Sequence, residues 1–309
     1  MSAGADRRPH TIGLLAVAAA VLCFSISYPI LKWPGVPGSV IAWWRLVGSS
    51  VLWWVLLIVR RRRYATPLPT RATWKRMIVP ALFFGLDISI LFTAVTRTSV
   101  AHAEFIGVMA PLITLPAGFF LFGERPRWRA LGWGTLSIIG IAIVLFNGPE
   151  RGTATVTGDV LMAIGVVMLS AYLLAAKRAR GHRGAVGVDT FEFMAILMPV
   201  ALVTATPVVL SIASNELWPL SGKAWIAVAI LSVLTGMVGH GLLAFAHPRL
   251  PIGTMSTVQV SQPALAVFWA WVILGETITA RQVPGMALVI IGLALVMWFS
   301  NRAAVEPAV

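Results

Sequence analysis

The sequence predicts an all-α integral membrane protein with ten transmembrane helices, arranged as two inverted five-helix repeats. Three observations support this fold class: the composition, the spacing of the apolar stretches and an internal repeat. Of the 309 residues, 58% are hydrophobic and only 11% are charged, and the mean hydropathy is +0.87. Soluble domains carry about a quarter charged residues. Most of the surface of this chain is therefore expected to face lipid.

Ten stretches of the chain are long and apolar enough to cross a bilayer, which takes about 20 residues. The first continues past Cys23 without a signal-peptide cleavage pattern, which indicates a membrane span rather than a leader. The connections are short, so we expect no sizeable soluble domain. The predicted spans are 11–31, 38–59, 77–96, 101–122, 130–147, 159–176, 190–212, 225–246, 252–274 and 283–300.

The positions of Lys and Arg predict the orientation. Eighteen of the 24 lie on one side of the predicted membrane, five lie on the other, and Arg45 lies inside a span. Cytoplasmic loops are enriched in these residues, so both termini are expected in the cytoplasm. The four arginines at 60–63 follow a span end, which favours contact with anionic membrane lipids over binding to nucleic acid.

An internal repeat relates the two halves. A shift of 152 residues superposes 100–146 on 252–298 without a gap. The matched pairs include Pro111 with Pro263, Gly123 with Gly275, Glu124 with Glu276 and Gly140 with Gly292. Each Gly-Glu pair is expected to end its helix, with the glutamate near an arginine. Five spans per half is an odd number, which predicts inverted repeats, as in many secondary transporters. We therefore place the repeats at 1–150 and 151–309.

Two passages carry a family resemblance, together with Arg45 in the second span. They run from Ala110-Pro111-Leu112 to Gly123-Glu124-Arg125 and from Gln262-Pro263-Ala264 to Gly275-Glu276-Thr277. In these features the chain resembles the EamA-type members of the drug/metabolite transporter superfamily, which include bacterial exporters of aromatic amino acids. The resemblance implies an exporter or permease of small metabolites in the bacterial inner (plasma) membrane.

The two matched prolines are predicted to disturb their helices. Proline cannot donate to the carbonyl four residues earlier, so Pro111 and Pro263 partly free the carbonyls of Gly107 and Gln259. Those carbonyls could accept a hydrogen bond from a substrate ammonium. The alternative, which we favour, is a packing kink, because bent helices are common in membrane bundles.

Ionisable residues inside predicted spans are candidates for function because they are costly there. Arg45 could form an ion pair with Asp87 or with Glu104, either to fix helix register or to gate transport. Asp87 could instead hold a substrate ammonium or carry a proton. His240 could also carry a proton, although a buried histidine more often has a structural role. Proton coupling is therefore one of the alternatives.

Uncharged polar residues complete the set of substrate-binding candidates. Gln259 and Gln262 are three residues apart and share a helix face. Two amides can donate to a carboxylate and accept from an ammonium, which suits a zwitterion. Ser25, Tyr28 and Tyr172 are similar candidates in the first and sixth spans.

The leading functional prediction is a secondary transporter that exports small metabolites, with amino acids, aromatic or other neutral ones, as the favoured class. The alternative is a permease for phosphorylated or nucleotide-linked sugars or other organic solutes. A phosphate site needs several converging cations, and Arg45 is the one cation well inside a span. Phosphate-loop and zinc-protease motifs are absent from the sequence, and one cysteine cannot make a multi-cysteine metal site. We therefore expect no enzyme activity, no cofactor and no metal.

Accessibility labelling tests the orientation. With Cys23 replaced by alanine, single cysteines are introduced as Ser2→Cys and Ala308→Cys, and each variant is treated in intact cells with a membrane-impermeant thiol reagent. Neither variant is expected to be labelled until the membrane is opened. Ala154→Cys, between the fifth and sixth predicted spans, is expected to be labelled in intact cells and is the control. Labelling of one terminus alone would contradict the inverted arrangement.

Overall fold

The chain is all-helical in the part described by the computed structural model, which covers residues 7–123, 128–147, 154–180, 188–246, 258–259 and 261–305. The helices of the first half are α1 (Arg7–Ser25), α2 (Ser27–Lys32), α3 (Gly38–Tyr64), α4 (Arg71–Val95), α5 (Val100–Gly107), α6 (Ala110–Phe122) and α7 (Trp128–Phe146). Those of the second half are α8 (Val156–Arg180), α9 (Thr190–Ala213), α10 (Gly222–Ile230), α11 (His240–Ala246), α12 (Gln262–Leu274) and α13 (Val283–Val305). A 3-10 turn follows α9 at Ser214–Glu216, and a π-helical segment, Leu231–Gly239, joins α10 to α11.

Seven helical stretches in the described part are long and apolar enough to cross a membrane, and three further apolar helices are shorter. The shorter ones are Gly132–Phe146, Gln262–Leu274 and Val283–Val296. Each of these stretches overlaps one of the predicted spans. The prediction of an all-α membrane protein with several spanning helices is confirmed. The count of ten spans and the cytoplasmic position of both termini stay predictions.

Contacts between helices group the chain into two compact units, each made of separate segments. The first unit comprises residues 1–29, 98–154 and 238–309, and the second comprises residues 30–97 and 155–237. Both units therefore contain segments from both halves of the sequence. The predicted division at residue 150 follows sequence similarity and stays a prediction.

Helix α4 is the centre of the second unit. It packs against α3, α8 and α9 and is the most deeply buried of the long spans. Small residues allow the backbones to approach closely, as is usual between membrane helices. A Cβ atom added at Gly85 would lie 2.6 Å from the carbonyl oxygen of Ala201 in α9. One added at Gly38, at the start of α3, would collide with the carbonyl of Phe92.

Helices α7 and α13 form a close pair in the first unit. A Cβ atom at Gly140 would lie 2.6 Å from the carbonyl oxygen of Gly285, and the reverse distance is also 2.6 Å. The Ser137 hydroxyl donates to the carbonyl oxygen of Val289 at 3.2 Å. Residue numbers rise along one helix as they fall along the other, so the two helices are antiparallel.

The residues that contact each other in this pair are related by the shift of 152 residues found in the sequence. Ser137 and Val289 are themselves 152 positions apart and contact each other. Under the same shift, the contact of Gly140 with Gly285 becomes the contact of Trp133 with Gly292, where an added Cβ would lie 3.1 Å from the Trp133 carbonyl oxygen. A two-fold axis perpendicular to the helices produces this pattern, because such symmetry pairs each contact with its counterpart.

Glycines end two equivalent helices. Gly123 follows α6 and Gly275 follows α12, both with φ of 67°. Glycine adopts this left-handed conformation without steric cost, and it closes the last helical turn. The prediction that these glycines end their helices is confirmed. The carboxylate of Glu276 accepts a hydrogen bond from the backbone N–H of Val100, at the start of α5. Glu124, its counterpart in the repeat, lies outside the described residues.

The α7–α13 contact predicts a selective effect of added methyl groups. Gly140→Ala forces a Cβ against the backbone of α13 and is expected to lower stability by about 1–3 kcal/mol. Gly132→Ala is the matched control on the same helix, because its Cβ would meet no atom within 4 Å. Alanine favours helix over glycine by about 1 kcal/mol, so the control is expected to keep or raise stability. Thermal unfolding in detergent measures both variants, and equal midpoints would contradict this packing.

Candidate substrate site within the membrane-spanning helices

Arg45 lies on α3 and is 3% exposed. Its Nε donates to the Thr235 hydroxyl at 3.3 Å, and its guanidinium carbon lies 5.3 Å from the centre of the Phe92 ring. Thr235 in turn donates to the carbonyl oxygen of Leu231 at 2.8 Å, which leaves its lone pairs directed towards Arg45. A hydroxyl and an aromatic face both stabilise a buried guanidinium.

Asp87 lies on α4 and is 2% exposed. Arg45 is close enough for direct charge–charge attraction. The Oδ1 atom of Asp87 is buried and has no hydrogen-bond partner within the described part of the chain. We call Arg45, Asp87, Phe92 and Thr235 the Arg45–Asp87 cluster. The ion pair predicted for Arg45, with Asp87 or with Glu104, stays a prediction.

Tyr172 is adjacent to this cluster through an aromatic contact. Its ring centre lies 4.9 Å from that of Phe84, which precedes Asp87 by three residues on α4. Residues three apart share a helix face. Tyr172 is therefore on the side of α4 that carries Asp87, and its role as a substrate ligand stays a prediction.

Sequence reasoning missed the contribution of the π-helical segment to this cluster. Besides Thr235, its Ser232 hydroxyl donates to the Arg45 carbonyl oxygen at 3.3 Å, and its Gly236 carbonyl accepts from Trp53 Nε1 at 2.7 Å. The available signal was the spacing of small and polar residues at 232, 235 and 236, which places them on one helix face. Small residues of this kind mark helix contacts in membranes.

Glu104 lies on α5 in the first unit and is 2% exposed. Its Oε2 accepts from Nε2 of Gln262 at 3.3 Å, and its Oε1 is buried without a hydrogen-bond partner in the described residues. The structure thus joins Glu104, predicted as a gating residue, to Gln262, predicted as a substrate ligand. We call these two residues the Glu104–Gln262 pair.

Tyr28 lies close to the Glu104–Gln262 pair. It packs against a buried cluster of Val100, Ala266 and Ala270. Val100 precedes Glu104 by one helical turn, and Ala266 follows Gln262 by one turn. Tyr28 therefore borders the same contact between α5 and α12.

The other predicted ligands in the first unit have more local surroundings. The Ser25 hydroxyl donates to the carbonyl oxygen of Leu22 at 3.0 Å, within its own helix. The His240 ring contacts Phe24 edge to face, with ring centres 5.2 Å apart. Gln259 is half-buried and belongs to a short helical stretch at 258–259. Their assignment as substrate ligands stays a prediction.

Both predicted prolines stand at helix starts. The fourth span is divided between α5 and α6, and Pro111 is in the first turn of α6, directly after the break at 108–109. Pro263 has the same position in α12, after Ser261. Proline is well tolerated in the first turn of a helix because its missing N–H would be unpaired there in any case.

Within the described residues, no group of three or more His, Cys, Asp or Glu side chains could hold a metal ion. Long apolar helices that carry buried ionisable side chains are typical of membrane proteins that move solutes or ions. The fold and the two clusters thus define the class as a multi-pass membrane transport protein.

A family comparison assigns the chain within this class. The model of the EamA-like transporter family matches residues 11–146 and again residues 156–298. The chain belongs to the EamA-like transporter family, a part of the drug/metabolite transporter superfamily, and is a multi-pass protein of the bacterial inner membrane.

Curated relatives include transporters of known and unknown substrate. The threonine/homoserine exporter RhtA of Salmonella typhimurium strain LT2 is 26% identical over 223 residues, which are 70% of this chain and 70% of that protein. RhtA of Escherichia coli K12 is 26% identical over 221 residues, again 70% of each. An uncharacterized transporter of Clostridium kluyveri is 24% identical over 231 residues, 72% of this chain and 71% of its own.

A solved crystal structure shares the fold. Its TM-score is 0.59 at 19% sequence identity, and the match covers 96% of this chain and 99% of that one. At this identity the likeness concerns the fold alone.

A double-mutant cycle tests the Arg45–Asp87 cluster. Arg45→Gln leaves the buried carboxylate without its cation and is expected to destabilise the protein by about 3–5 kcal/mol. Asp87→Asn on its own is also expected to destabilise. The double variant is expected to lose less than the sum of the two, since neither buried charge is then left alone. Arg97→Gln, at an exposed position, is the control and is expected to unfold like the wild type. Strict additivity in thermal or denaturant unfolding would exclude an Arg45–Asp87 interaction.

Proposed function

We propose that the protein is a secondary transporter that exports small metabolites, in particular neutral amino acids, aromatic ones among them. Transport proceeds by alternating access, with two inverted five-helix halves rocking around the substrate. Membership of the EamA-like transporter family supports the transport function. The choice of amino acids rests on the chemistry of the buried side chains and on the relatives.

The Arg45–Asp87 cluster carries the proposal. An amino acid presents one carboxylate and one ammonium. The guanidinium of Arg45 suits the carboxylate through charge-assisted N–H donation, and Asp87 Oδ1 is an acceptor without a partner in the described part of the chain. A zwitterion carries no net charge, so its binding there does not change the net charge inside the membrane.

The aromatic surroundings support a substrate with an apolar side chain. Phe92 lies beside Arg45, and Phe84 and Tyr172 lie on the Asp87 side of α4. Flat rings offer a large apolar contact area to aliphatic and aromatic groups. The relatives named threonine/homoserine exporter support neutral amino acids as the class of substrate, although their named substrates carry a hydroxyl group.

The α7–α13 pair supports the inverted arrangement. Residues 152 positions apart contact each other in antiparallel helices, as halves of opposite orientation require. The fifth and tenth spans contain no ionisable side chain in their described apolar cores, Gly132–Phe146 and Val283–Val296, and a supporting role outside the substrate path suits them.

A phosphorylated substrate is less well matched. Arg45 is the one arginine or lysine that is buried among the residues whose burial is described. Phosphate groups are usually held by several cationic or N–H donors at once. Asp87, close by, would also repel a phosphate.

Proteoliposome flux tests the proposal. Vesicles loaded with unlabelled L-threonine or L-phenylalanine are expected to accumulate the labelled amino acid by saturable counterflow, and excess unlabelled amino acid outside is expected to compete. Glucose 6-phosphate is expected not to compete. Failure of a panel of neutral amino acids to show saturable counterflow would exclude this substrate class.

Asp87→Asn is predicted to impair substrate binding. It removes the anion without changing the size of the side chain. A hydrogen bond to a charged group contributes about 1.5–3 kcal/mol, so KM for L-threonine is expected to rise about tenfold or more. Glu216→Gln removes an exposed carboxylate and is the matched control. A KM unchanged in Asp87→Asn, with the control also unchanged, would exclude Asp87 as the ammonium ligand.

A further inference from the structure

The carboxyl group of Glu104 in the Glu104–Gln262 pair has no counter-ion among the described residues. The Glu104 side chain is 2% exposed, and its hydrogen bond from Gln262 comes from a neutral amide at 3.3 Å. Its second oxygen, Oε1, makes no hydrogen bond to any described residue. An ionised carboxylate in an apolar environment needs a cation or several hydrogen bonds, and otherwise it takes up a proton.

Among the described residues of α7, α12 and α13, which pack against α5, no cation is seen to contact Glu104. Helix α12 has no Asp, Glu, Lys, Arg or His in its sequence. In α7 the one charged residue is Arg129, second in the helix, and in α13 it is Arg302, near the far end. His102 is the other titratable residue of α5, but residues two apart on a helix do not face each other.

Two further titratable side chains, Glu276 and Tyr28, contact the start of α5. Glu276 bonds the backbone N–H of Val100, four residues before Glu104. Tyr28 packs against Val100 and Ala266. The surroundings on α5, α7, α12 and α13 therefore suit the uncharged carboxylic acid.

We propose that Glu104 is a proton-binding site of the transport cycle and that its proton is exchanged for the exported solute. In the conformation described, the proton is on Oε1, while Oε2 is the carbonyl oxygen that accepts from Gln262. On release, the Oε1–H bond breaks and the proton passes to water on the side to which the site is open. The carboxylate keeps the electron pair and binds a proton again from the opposite side.

The two buried carboxyl groups thereby have different roles. Asp87 is close enough to Arg45 for charge–charge attraction, and in the proposed function it binds the ammonium of the substrate. Glu104 has only the neutral amide of Gln262 as its hydrogen-bond donor in the described part of the chain. This inference rests on the proposed function for the identity of the exported solute, and the protonation of Glu104 is tested without any solute.

Infrared difference spectroscopy tests the protonation directly. Purified protein in lipid is titrated with acid and base, and the C=O stretching band of buried carboxylic acids is recorded. Wild type is expected to show a band that is missing from Glu104→Gln and present, shifted in position, in Glu104→Asp. The band is expected to remain in Glu216→Gln, which removes an exposed carboxyl. An unchanged band in Glu104→Gln would overturn the proposal.

A flux experiment tests the coupling. In the wild type, an inward-directed proton gradient is expected to drive labelled L-threonine out of proteoliposomes against its concentration gradient. For Glu104→Gln, the rates of flux with and without the proton gradient are expected to be equal, whereas Glu104→Asp is expected to keep the response to the gradient. Wild-type flux that ignores the proton gradient would overturn the coupling. Absence of counterflow in the wild type would instead exclude L-threonine as the substrate, and the infrared band would still decide whether Glu104 carries a proton.

Discussion

The structure depends on one constraint: inside a bilayer, polar groups have to find their hydrogen-bond partners within the protein. Serine and threonine hydroxyls in the spans satisfy it by donating to carbonyls one turn earlier on their own helices. Such bonds are made by Ser50, Ser89, Thr93, Ser170, Thr204, Thr206 and Thr235. Tryptophan N–H groups instead reach across to another helix, as Trp53 does to Gly236. Asp87 and Glu104 do not fully meet this constraint, because each has one buried oxygen without a hydrogen-bond partner among the described residues, as do the hydroxyls of Ser39 and Ser49.

These two carboxyl groups have differently charged neighbours, and we therefore assign them different roles. Asp87 shares its part of the second unit with a guanidinium, so the pair presents both signs of charge to a solute. Glu104 is beside an amide and apolar side chains of α12, which favour a neutral acid. One sequence thus supplies a site suited to a zwitterion and another suited to a proton, although both use the same functional group. The partner on the neighbouring helix sets the role, not the carboxyl group itself.

Sequence patterns predicted the features that depend on local chain chemistry. Apolar length located the helices, and the glycines at 123 and 275 marked two helix ends. The partners of the buried ionisable residues were harder to predict from the sequence. Hydropathy gives the depth of a residue in the membrane but not the direction in which its side chain points around the helix, so the hydrogen bond from Gln262 to Glu104 could not be predicted from the sequence. The π-helical geometry at Leu231–Gly239, which presents Thr235 to Arg45, has no marker in the sequence comparable to proline or glycine.

The crossing of α7 and α13 has a consequence for how this chain tolerates mutation. Position 137 contacts position 289, and position 140 stands in the same relation to 285 as 292 does to 133. A bulky residue at either of two equivalent positions, one on α7 and one on α13, would disturb the same contact between the two helices. Where equivalent helices contact different neighbours, the sequences of the two halves are free to diverge. Where α7 contacts α13, a substitution in one half limits which substitutions the other half tolerates.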